Sequence, residues 1–557
     1  MEKHQVIEGG NKIQTSESFI SDDALEGQTS SDGPVLKRSL KSRHLSMISI
    51  GGVIGQALFL SSGTNLYQGG PAGALIAYAI IGFIVFWVAY SLGEMATYIP
   101  VSGSFTVFCR RFVDNSFGSV IGYNYWACWS IITAAEFTAI PLVMQYWTQV
   151  VPDWAWSLMF LLIVFVLNIF GARSYGEAEY WFSLIKVLTI LIFIIVGCCI
   201  SGGLIGDEVY GFKYWQDGNA FPHGVLGVIN SLVLASLSMQ GKMRANQRST
   251  KAMWYTHADP MLTFSHRNRN YWHYVPRAIR NVFWRILVFY LGSVFVMGMI
   301  IPWNDEHNMH SGSKTVSVSP FALVFSKGGL ASAGHVVNAI ILITILSCAN
   351  SGLYVSSRML LALSQEGVAW KRLSYVTKRG VPIGALICTA LVSVITFVTS
   401  FIPGQALYLV LTSLAGVAGF VTWFGIAMAH FRFRRALKVQ EMDLAILPMT
   451  APLHPFGDLF TMFASVVCAL ITGYSYFVPA DPVGLVGNYA GLILCVVGFI
   501  VTKLYTKSKM IPLKDVDLVT GATMHKDTDS QFENGGATAP TGPWYSRAAA
   551  RIVAVFT

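Results

Sequence analysis

Long apolar segments, repeated along most of the chain, constrain its fold more than any other feature of the sequence. Most of them approach the roughly 20 residues that an α-helix needs to cross a bilayer. We place them near residues 46–67, 72–93, 117–147, 156–172, 178–201, 223–241, 283–301, 335–360, 383–402, 406–429, 457–478 and 484–504. The pattern predicts an all-α integral membrane protein with about 12 transmembrane helices, because a helix makes all of its backbone hydrogen bonds internally within a bilayer.

The composition supports this fold class. Of the 557 residues, 54% are hydrophobic and only 12% are charged, too few to cover the surface of a soluble protein of this length. The basic residues stand in short clusters between apolar segments, as in cytoplasmic loops, so we expect a lipid bilayer and no nucleic acid as a partner. The cysteines lie in or beside apolar segments without metal-binding spacing. No metal or other cofactor is therefore expected.

The sequence divides into three regions. Residues 1–43 form a polar tail that we expect to be disordered, without the apolar core of a signal peptide. Residues 44–506 form the transmembrane domain, and residues 507–557 form a second polar tail. Lysine and arginine cluster in alternate loops, whereas the other loops are mainly acidic. The positive-inside rule then predicts that both termini are cytoplasmic.

The first apolar segment contains glycines at positions 51, 52 and 55. Glycine weakens a helix. Non-helical backbone at membrane depth is tolerated only where its N–H and C=O groups find hydrogen-bond partners, commonly in a cavity that holds a ligand. Freed N–H groups at such a break can hold a carboxylate, and freed carbonyls can hold an ammonium. A zwitterionic amino acid has both groups. The alternative is a small-residue face that packs against another helix.

The sixth segment, five spans later, loses its apolar character abruptly at Gly241. A second interruption at the corresponding place in the other half of a chain is typical of transporters with inverted repeats. The placement predicts a 5+5 inverted repeat, in which spans one to five and six to ten are related by a pseudo-two-fold axis in the membrane plane. Two further helices follow the repeat.

Several long motifs extend this interpretation. They are Lys41–Leu45, Gly51–Gly55, Gly69–Pro71, Leu92–Phe105, Arg111–Asp114, Gly122–Trp126, Glu136, Tyr175–Val187, Pro276–Arg280, His430–Arg435 and Asp515–Gly521. They resemble the fungal amino acid permeases, the yeast amino acid transporter family of the amino acid–polyamine–organocation superfamily, over roughly residues 37–521. The resemblance implies a leucine-transporter-like fold, proton-coupled uptake of an amino acid substrate by alternating access, and a place in the plasma membrane.

The resemblance and the glycine cluster together indicate a substrate site at interrupted helices one and six. Its candidate residues are Gly52, Val53, Ile54, Gly55, Gln56, Ala57, Glu136, Ser238, Gln240 and Gly241. The family carries a glutamate at the position of Glu136 that borders the substrate. The alternative is a structural carboxylate bonded to neighbouring helices.

Lys186 in span five is the candidate for proton coupling. Its ammonium could lie where sodium-coupled relatives hold a cation, and gain and lose a proton as the site opens and closes. The alternative is that it snorkels to the cytoplasmic interface. Glu94, at the cytoplasmic end of span two, is expected to pair with a nearby arginine as a structural or gating residue.

Two positions depart from the family pattern. Where the family reads Gly-Thr-Gly, this chain has Gly55-Gln56-Ala57, so the backbone groups remain while a larger side chain changes the pocket. After Gly241 the motif Thr-Glu-Ile-x-Gly-Ile is missing, and residues 242–274 form a basic stretch without apolar periodicity. We expect this stretch to leave the membrane as a cytoplasmic loop, because charges in hydrocarbon are costly.

We interpret residues 242–274 as the product of a retained intron or frameshift, the alternative being a lineage-specific loop. Gly241-Lys242 can be encoded with a GTAAG donor, Leu262-Thr263 with a CTGAC branch point, and His266-Arg267 with an AG acceptor. Codons for Asn268–Tyr274, read one nucleotide later, spell Thr-Glu-Ile-Thr-Gly-Ile. This exact chain is then expected to have an incomplete sixth helix and no transport.

Other functions have less support in the sequence. No phosphate-binding loop, HExxH or GxSxG motif is present, so an enzyme is not expected. A non-transporting amino acid sensor on the same fold stays open, as does a transporter of polyamines or other amines. The sequence leaves the identity of the amino acid and the oligomeric state undetermined.

Overall fold

The computed structural model describes residues 54–99, 105–170, 172–206, 208–254, 284, 286–305, 319–330, 332–377, 379–400, 404–474, 477 and 482–522. The α-helices of this part are α1 (Gln56–Phe59), α2 (Ser61–Tyr98), α3 (Phe105–Phe112), α4 (Asn115–Met144), α5 (Asp153–Ile169), α6 (Ala172–Ser201), α7 (Gly224–Trp254), α8 (Gly292–Ile300), α9 (Pro320–Lys327), α10 (Ala333–Gln365), α11 (Ile383–Val392), α12 (Gly404–Val439), α13 (Phe456–Ile471) and α14 (Pro482–Thr506). A π-helical turn, Ile286–Leu291, leads into α8, and a 3₁₀ helix, Ser393–Ser400, continues α11.

The all-α prediction is confirmed over the described residues, which contain no β-strand. In their described parts, the predicted apolar segments fall mainly on helices. Six helices are long and apolar enough to cross a membrane, and shorter apolar helices accompany them in the described part. The count of 12 crossings, the inverted repeat and the position of the termini stay predictions.

A kink at Gly70 separates the first two predicted spans. A straight helix of the length of α2, 38 residues, would be about 57 Å long, nearly twice the roughly 30 Å of bilayer hydrocarbon. Gly70 has φ 69°, a left-handed angle that glycine adopts without strain, and Pro71 follows it. The two residues therefore end the first span and begin the second.

Small residues bring α7 very close to α2. A Cβ atom on Gly69 would lie 2.5 Å from Oγ of Ser231, and one on Gly227 would lie 2.4 Å from the carbonyl oxygen of Gln68. Larger side chains at either glycine would push the helices apart, which is the usual reason for small residues between membrane helices. The close packing holds α7 beside the helix that continues from the glycine-rich start of span one.

The segment after α14 packs against the end of the helical domain that is predicted to be cytoplasmic. The Arg432 guanidinium donates to the carbonyls of Phe112 (2.6 Å) and Ile511, and Leu518 is only 1% exposed. Burial raises the pKa of Asp114, but hydrogen bonds from Lys503 and neighbouring groups outweigh it and lower that pKa. The predicted tail boundary at 507 thus marks the end of a helix, and the described residues that follow, up to Ala522, include buried side chains such as Leu518.

Candidate functional site

The chain is not helical at the glycine-rich start of the first predicted span. Ile54 and Gly55 have no helical structure, and α1 begins at Gln56. The N–H of Leu58 donates to the carbonyl of Gly55 at 3.3 Å. Leu60 keeps right-handed helical angles, so α1 continues almost directly into α2. The first N–H groups of this helical stretch are therefore at Gln56 and the residues just after it.

The predicted residues around this start are only partly described. Gly52, Val53 and the side chain of Gln56 lie outside the described residues, and Ala57 is buried in α1. The unwinding predicted over residues 51–56 is observed at Ile54 and Gly55 and is wrong for Gln56, the first residue of α1. It stays a prediction for residues 51–53.

Helix α10 lies against this start. The Cys348 thiol is 3.7 Å from the carbonyl oxygen of Ile54, and a Cβ atom on Gly55 would be 3.6 Å from the same sulfur. On the other side of α1, the Ser319 hydroxyl donates to the carbonyl of Phe59 at 2.7 Å. Side chains from α10 and from the residue before α9 therefore hold both ends of α1.

Lys186 reaches the same place from α6. Its side chain is fully buried, and its Nζ donates to Oγ of Ser347 at 2.7 Å and lies 3.9 Å from the sulfur of Cys348. The ammonium thus lies one side chain away from the backbone of Ile54. Because α6 begins at Ala172, six residues before the predicted start of its span, Lys186 lies about 21 Å along the helix.

Glu179 is a buried acidic residue of this region to which the sequence analysis assigned no function. Its two carboxylate oxygens accept from the Ser347 hydroxyl at 3.0 and 3.1 Å, and its side chain is fully buried. Glu179 and Lys186 are seven residues apart, about two helical turns, so they share one face of α6. That spacing was the one signal in the sequence that could have linked them.

The predicted break in span six is not present. Helix α7 continues without interruption through Gln240 and Gly241 to Trp254. Residues 242–254 are therefore helical and not a loop, whereas their exit from the membrane on the cytoplasmic side stays a prediction, and residues 255–274 lie outside the described residues. The physical reason is that Lys, Met, Arg, Ala and Gln, which dominate the sequence after Gly241, all favour helix. The side chain of Gln240 is not described.

Two further candidates are placed in the helical interior. The hydroxyls of Ser238 and Tyr78 are hydrogen-bonded at 2.9 Å, which joins α7 to α2, and Ser238 also donates to the carbonyl of Leu234. Glu136 is buried near the middle of α4, which packs against α10 and α12. The hydrogen bonds of Ser238 run to Tyr78 and Leu234 rather than to Lys186 or Ile54.

Charged side chains form a second buried cluster, where α2, α12 and α13 meet. The Arg434 guanidinium donates to the Glu94 carboxylate at 2.8 Å, which confirms the predicted arginine partner of Glu94. His430 lies between Glu94 at 3.3 Å and Asp458 at 2.8 Å. Buried charges of opposite sign compensate one another here, and breaking such a set leaves a charge without compensation.

The same cluster offers three possible metal ligands. Nitrogen atoms of His430 and His454 and an oxygen of Asp458 lie within 4.8 Å of one another. Each imidazole, however, points Nδ1 at Asp458, at 2.8 Å and 2.7 Å, and the other nitrogen of His430 faces Glu94. The groups are already paired as an ionic network, so the geometry favours a structural role.

We expect the variant Glu94→Gln to destabilise the folded protein by about 3–5 kcal/mol, the usual cost of removing one partner of a buried ion pair. It leaves Arg434 and His430 without their shared carboxylate. The measurement is thermal unfolding of the purified protein in detergent. Arg435→Gln, at an exposed position one residue from Arg434, is the control and should unfold like the parent. Equal unfolding of both variants would show that the network contributes little.

The described residues form a bundle of long apolar helices with a non-helical stretch and a buried lysine in its interior, as expected of a helical membrane protein. The chain belongs to the amino acid permease family, whose profile matches residues 44–244 and 266–513. It is accordingly a multi-pass membrane protein of an amino acid transporter family, not of an enzyme family. The match omits residues 245–265, which lie within the stretch that departs from the family motif.

Relatives from bacteria and yeast share most of their length with this chain. The lysine-specific permease LysP of Lactococcus lactis is 39% identical over 529 residues, 92% of this chain and 97% of the relative. LysP of Escherichia coli is 39% identical over 465 residues, 83% and 92%. The lysine-specific permease of Saccharomyces cerevisiae is 36% identical over 541 residues, 93% and 85%. Membership of the amino acid permease family is therefore shown, whereas the resemblance to its fungal members in particular is not confirmed.

Proposed function

We propose that this protein takes up cationic amino acids, lysine first among them, across the plasma membrane in symport with protons. The observation that carries the proposal is the contact of Lys186 with Ser347 and Cys348, the latter touching the carbonyl of Ile54. A titratable cation is thereby connected to the backbone expected to hold the substrate. Alternating access of the two halves of an inverted repeat would expose this region to each side in turn.

Substrate capture uses the backbone at the start of span one. The N–H groups of Gln56 and Ala57, at the start of α1, have no carbonyl one helical turn earlier to bind, and the helix dipole places partial positive charge there. They suit the α-carboxylate of an amino acid. Carbonyls of the non-helical residues before Gln56 suit its α-ammonium.

Lys186 supplies the link to protons. A charged lysine in a membrane interior needs compensation, and here it donates to the Ser347 hydroxyl between α6 and α10. Loss of the proton removes the charge that holds this contact. Protonation from one side of the membrane and deprotonation toward the other would then favour different arrangements of the two helices, which is what proton coupling requires.

The names of the relatives support lysine as the substrate. Glu136 supplies a buried carboxylate for the side-chain ammonium of lysine. We expect Glu136→Gln to raise the KM for lysine about tenfold or more, since a hydrogen bond to a charged group contributes about 1.5–3 kcal/mol. The measurement is initial uptake of labelled lysine against concentration. Glu208→Gln, at an exposed carboxylate paired with Lys213, is the matched control.

Competition in the same assay tests the substrate class. Unlabelled lysine, arginine and histidine should inhibit uptake, whereas leucine and putrescine should not. Inhibition by putrescine with no effect of lysine would establish an amine transporter instead. Binding of lysine without any uptake, in a form of the chain with a complete sixth helix, would favour a sensor.

A further inference from the structure

A continuous seam of polar side chains runs between α6 and α10. Its members, all buried, are Tyr175, Glu179 and Lys186 of α6 and Ser347, Cys348, Ser351, Tyr354 and Arg358 of α10. Each set spans 12 residues, a rise of about 16 Å along its helix. The seam extends from the start of span one toward the ends of α6 and α10 that are predicted to be cytoplasmic.

The centre of the seam is one hydroxyl between a cation and an anion. Lys186 Nζ donates to Ser347 Oγ at 2.7 Å, and the Ser347 hydroxyl donates to the Glu179 carboxylate at 3.0 and 3.1 Å. Lysine, serine and glutamate therefore form a chain of two hydrogen bonds that point in the same direction. Such a chain can pass a proton along its length without moving heavy atoms.

We propose that Glu179 receives the coupling proton from Lys186 through the Ser347 hydroxyl, a role that rests on the proposed proton symport. In this step an N–H bond of the Lys186 ammonium breaks while Ser347 Oγ gains that proton. The original O–H bond of Ser347 breaks at the same time, and its proton forms an O–H bond on Glu179. Lysine ends as a neutral amine, glutamate as a neutral carboxyl, and serine is unchanged.

The surroundings suit this transfer. Both charged groups are fully buried, and a low-dielectric interior disfavours isolated charges. The step converts a cation and an anion into two neutral groups, so no unpaired charge is created. Because Lys186 also lies beside Cys348, which touches the carbonyl of Ile54, the step can respond to events at the substrate site.

The far end of the seam is closed by stacked side chains. The Tyr175 hydroxyl is hydrogen-bonded to Ser351 at 2.9 Å, and its ring stacks on Tyr354 at 4.0 Å. The Arg358 guanidinium lies 3.4 Å from the centre of the Tyr354 ring. Besides Cys348, these tyrosines and this arginine are the titratable or charged groups of the seam that accompany the relay. The proton stays on Glu179 until α6 and α10 separate at this end.

The first test separates proton coupling from substrate movement in proteoliposomes. The full-length chain is used, both as given and with the sixth-helix motif restored as described in the Discussion, and the form that takes up lysine is the parent. We expect Glu179→Gln and Ser347→Ala to lose lysine accumulation driven by a pH gradient but to keep lysine–lysine exchange. Ser347→Thr keeps a hydroxyl and should keep accumulation. Glu177→Gln, two residues from Glu179, is the control.

A second measurement needs no transport. In Lys186→Met the Glu179 carboxylate loses its cation, so it should take up a proton, and the infrared spectrum should gain a protonated-carboxyl band. This band should be missing from the double variant Lys186→Met with Glu179→Gln. If Glu179 only positions its neighbours, Glu179→Gln should change gradient-driven accumulation and lysine–lysine exchange to the same extent.

The outcomes separate the two proposals. A parent that accumulates lysine independently of the pH gradient overturns proton symport. A proton-driven parent whose Glu179→Gln variant accumulates as much lysine overturns the relay alone. Absence of the Glu179-dependent infrared band in Lys186→Met also overturns the relay, whether or not either form of the chain transports lysine.

Discussion

Restoring the family motif of the sixth helix should convert an inactive chain into an active transporter. The restored form lacks residues 242–267, reads the following codons one nucleotide later, and so carries Thr-Glu-Ile-Thr-Gly-Ile directly after Gly241. The chain as given should show no uptake of labelled lysine above background in a permease-deficient yeast, and the restored form should show uptake. The expected difference is the presence or absence of transport.

The physical reason lies in the length and charge of α7. From Gly224 to Gly241 the helix has 18 residues and rises about 27 Å, almost the full thickness of bilayer hydrocarbon. The basic residues that follow can therefore leave the membrane, but a continuous helix offers no freed backbone groups opposite span one. The family profile stops at residue 244 and resumes at 266, which supports an insertion at this place.

The experiment has internal controls. The amount of each form at the cell surface is measured, so that loss of protein is not read as loss of transport. A sequenced transcript across codons 235–285 shows whether the intron is removed in the cell, and also supplies the residues up to Val275-Pro276, where a second splice must restore the frame. Equal uptake by both forms would identify residues 242–274 as a genuine part of the transporter.

The sequence predicted the helices of this protein better than their ends. Apolar runs predict helices because a backbone in hydrocarbon must bond to itself. Hydropathy does not mark where a helix continues into water, so the predicted spans missed the first six residues of α6 and the extension of α7 to Trp254. The segment up to about residue 522 was assigned to a tail because its anchors, such as Leu518, are few among polar residues.

The site was predictable where a single residue carried the signal. Lys186 stood out as a charge within an apolar segment, and the structure places it beside Ile54 through Cys348. Glu179 did not stand out, because it lies nearer the end of its span, where a carboxylate can reach water. Its partner Ser347 is 168 residues away in the sequence, and periodicity within one helix cannot reveal a contact of that kind.

The variant Lys186→Met should uncouple lysine uptake from the pH gradient. Methionine is similar in length to lysine and apolar, so it can fill the buried space while removing the proton. For one proton per lysine, a gradient of one pH unit supplies about 1.4 kcal/mol and supports up to about tenfold accumulation. The variant should show no accumulation from this gradient, and its uptake should no longer depend on external pH. The measurement is lysine uptake at a series of external pH values with the membrane potential held at zero.

Two further variants show whether the loss reflects coupling or misfolding. Lys213→Met removes an exposed lysine paired with Glu208 and should behave like the parent. The double variant of Lys186→Met with Glu179→Gln removes both buried charges, so it should fold at least as well as the single variant and remain uncoupled. Unchanged pH dependence in Lys186→Met would show that the lysine only packs between α6 and α10. Recovery of gradient-driven uptake in the double variant would likewise exclude Lys186 as the proton carrier, because both ends of the Lys186–Ser347–Glu179 chain would have been removed.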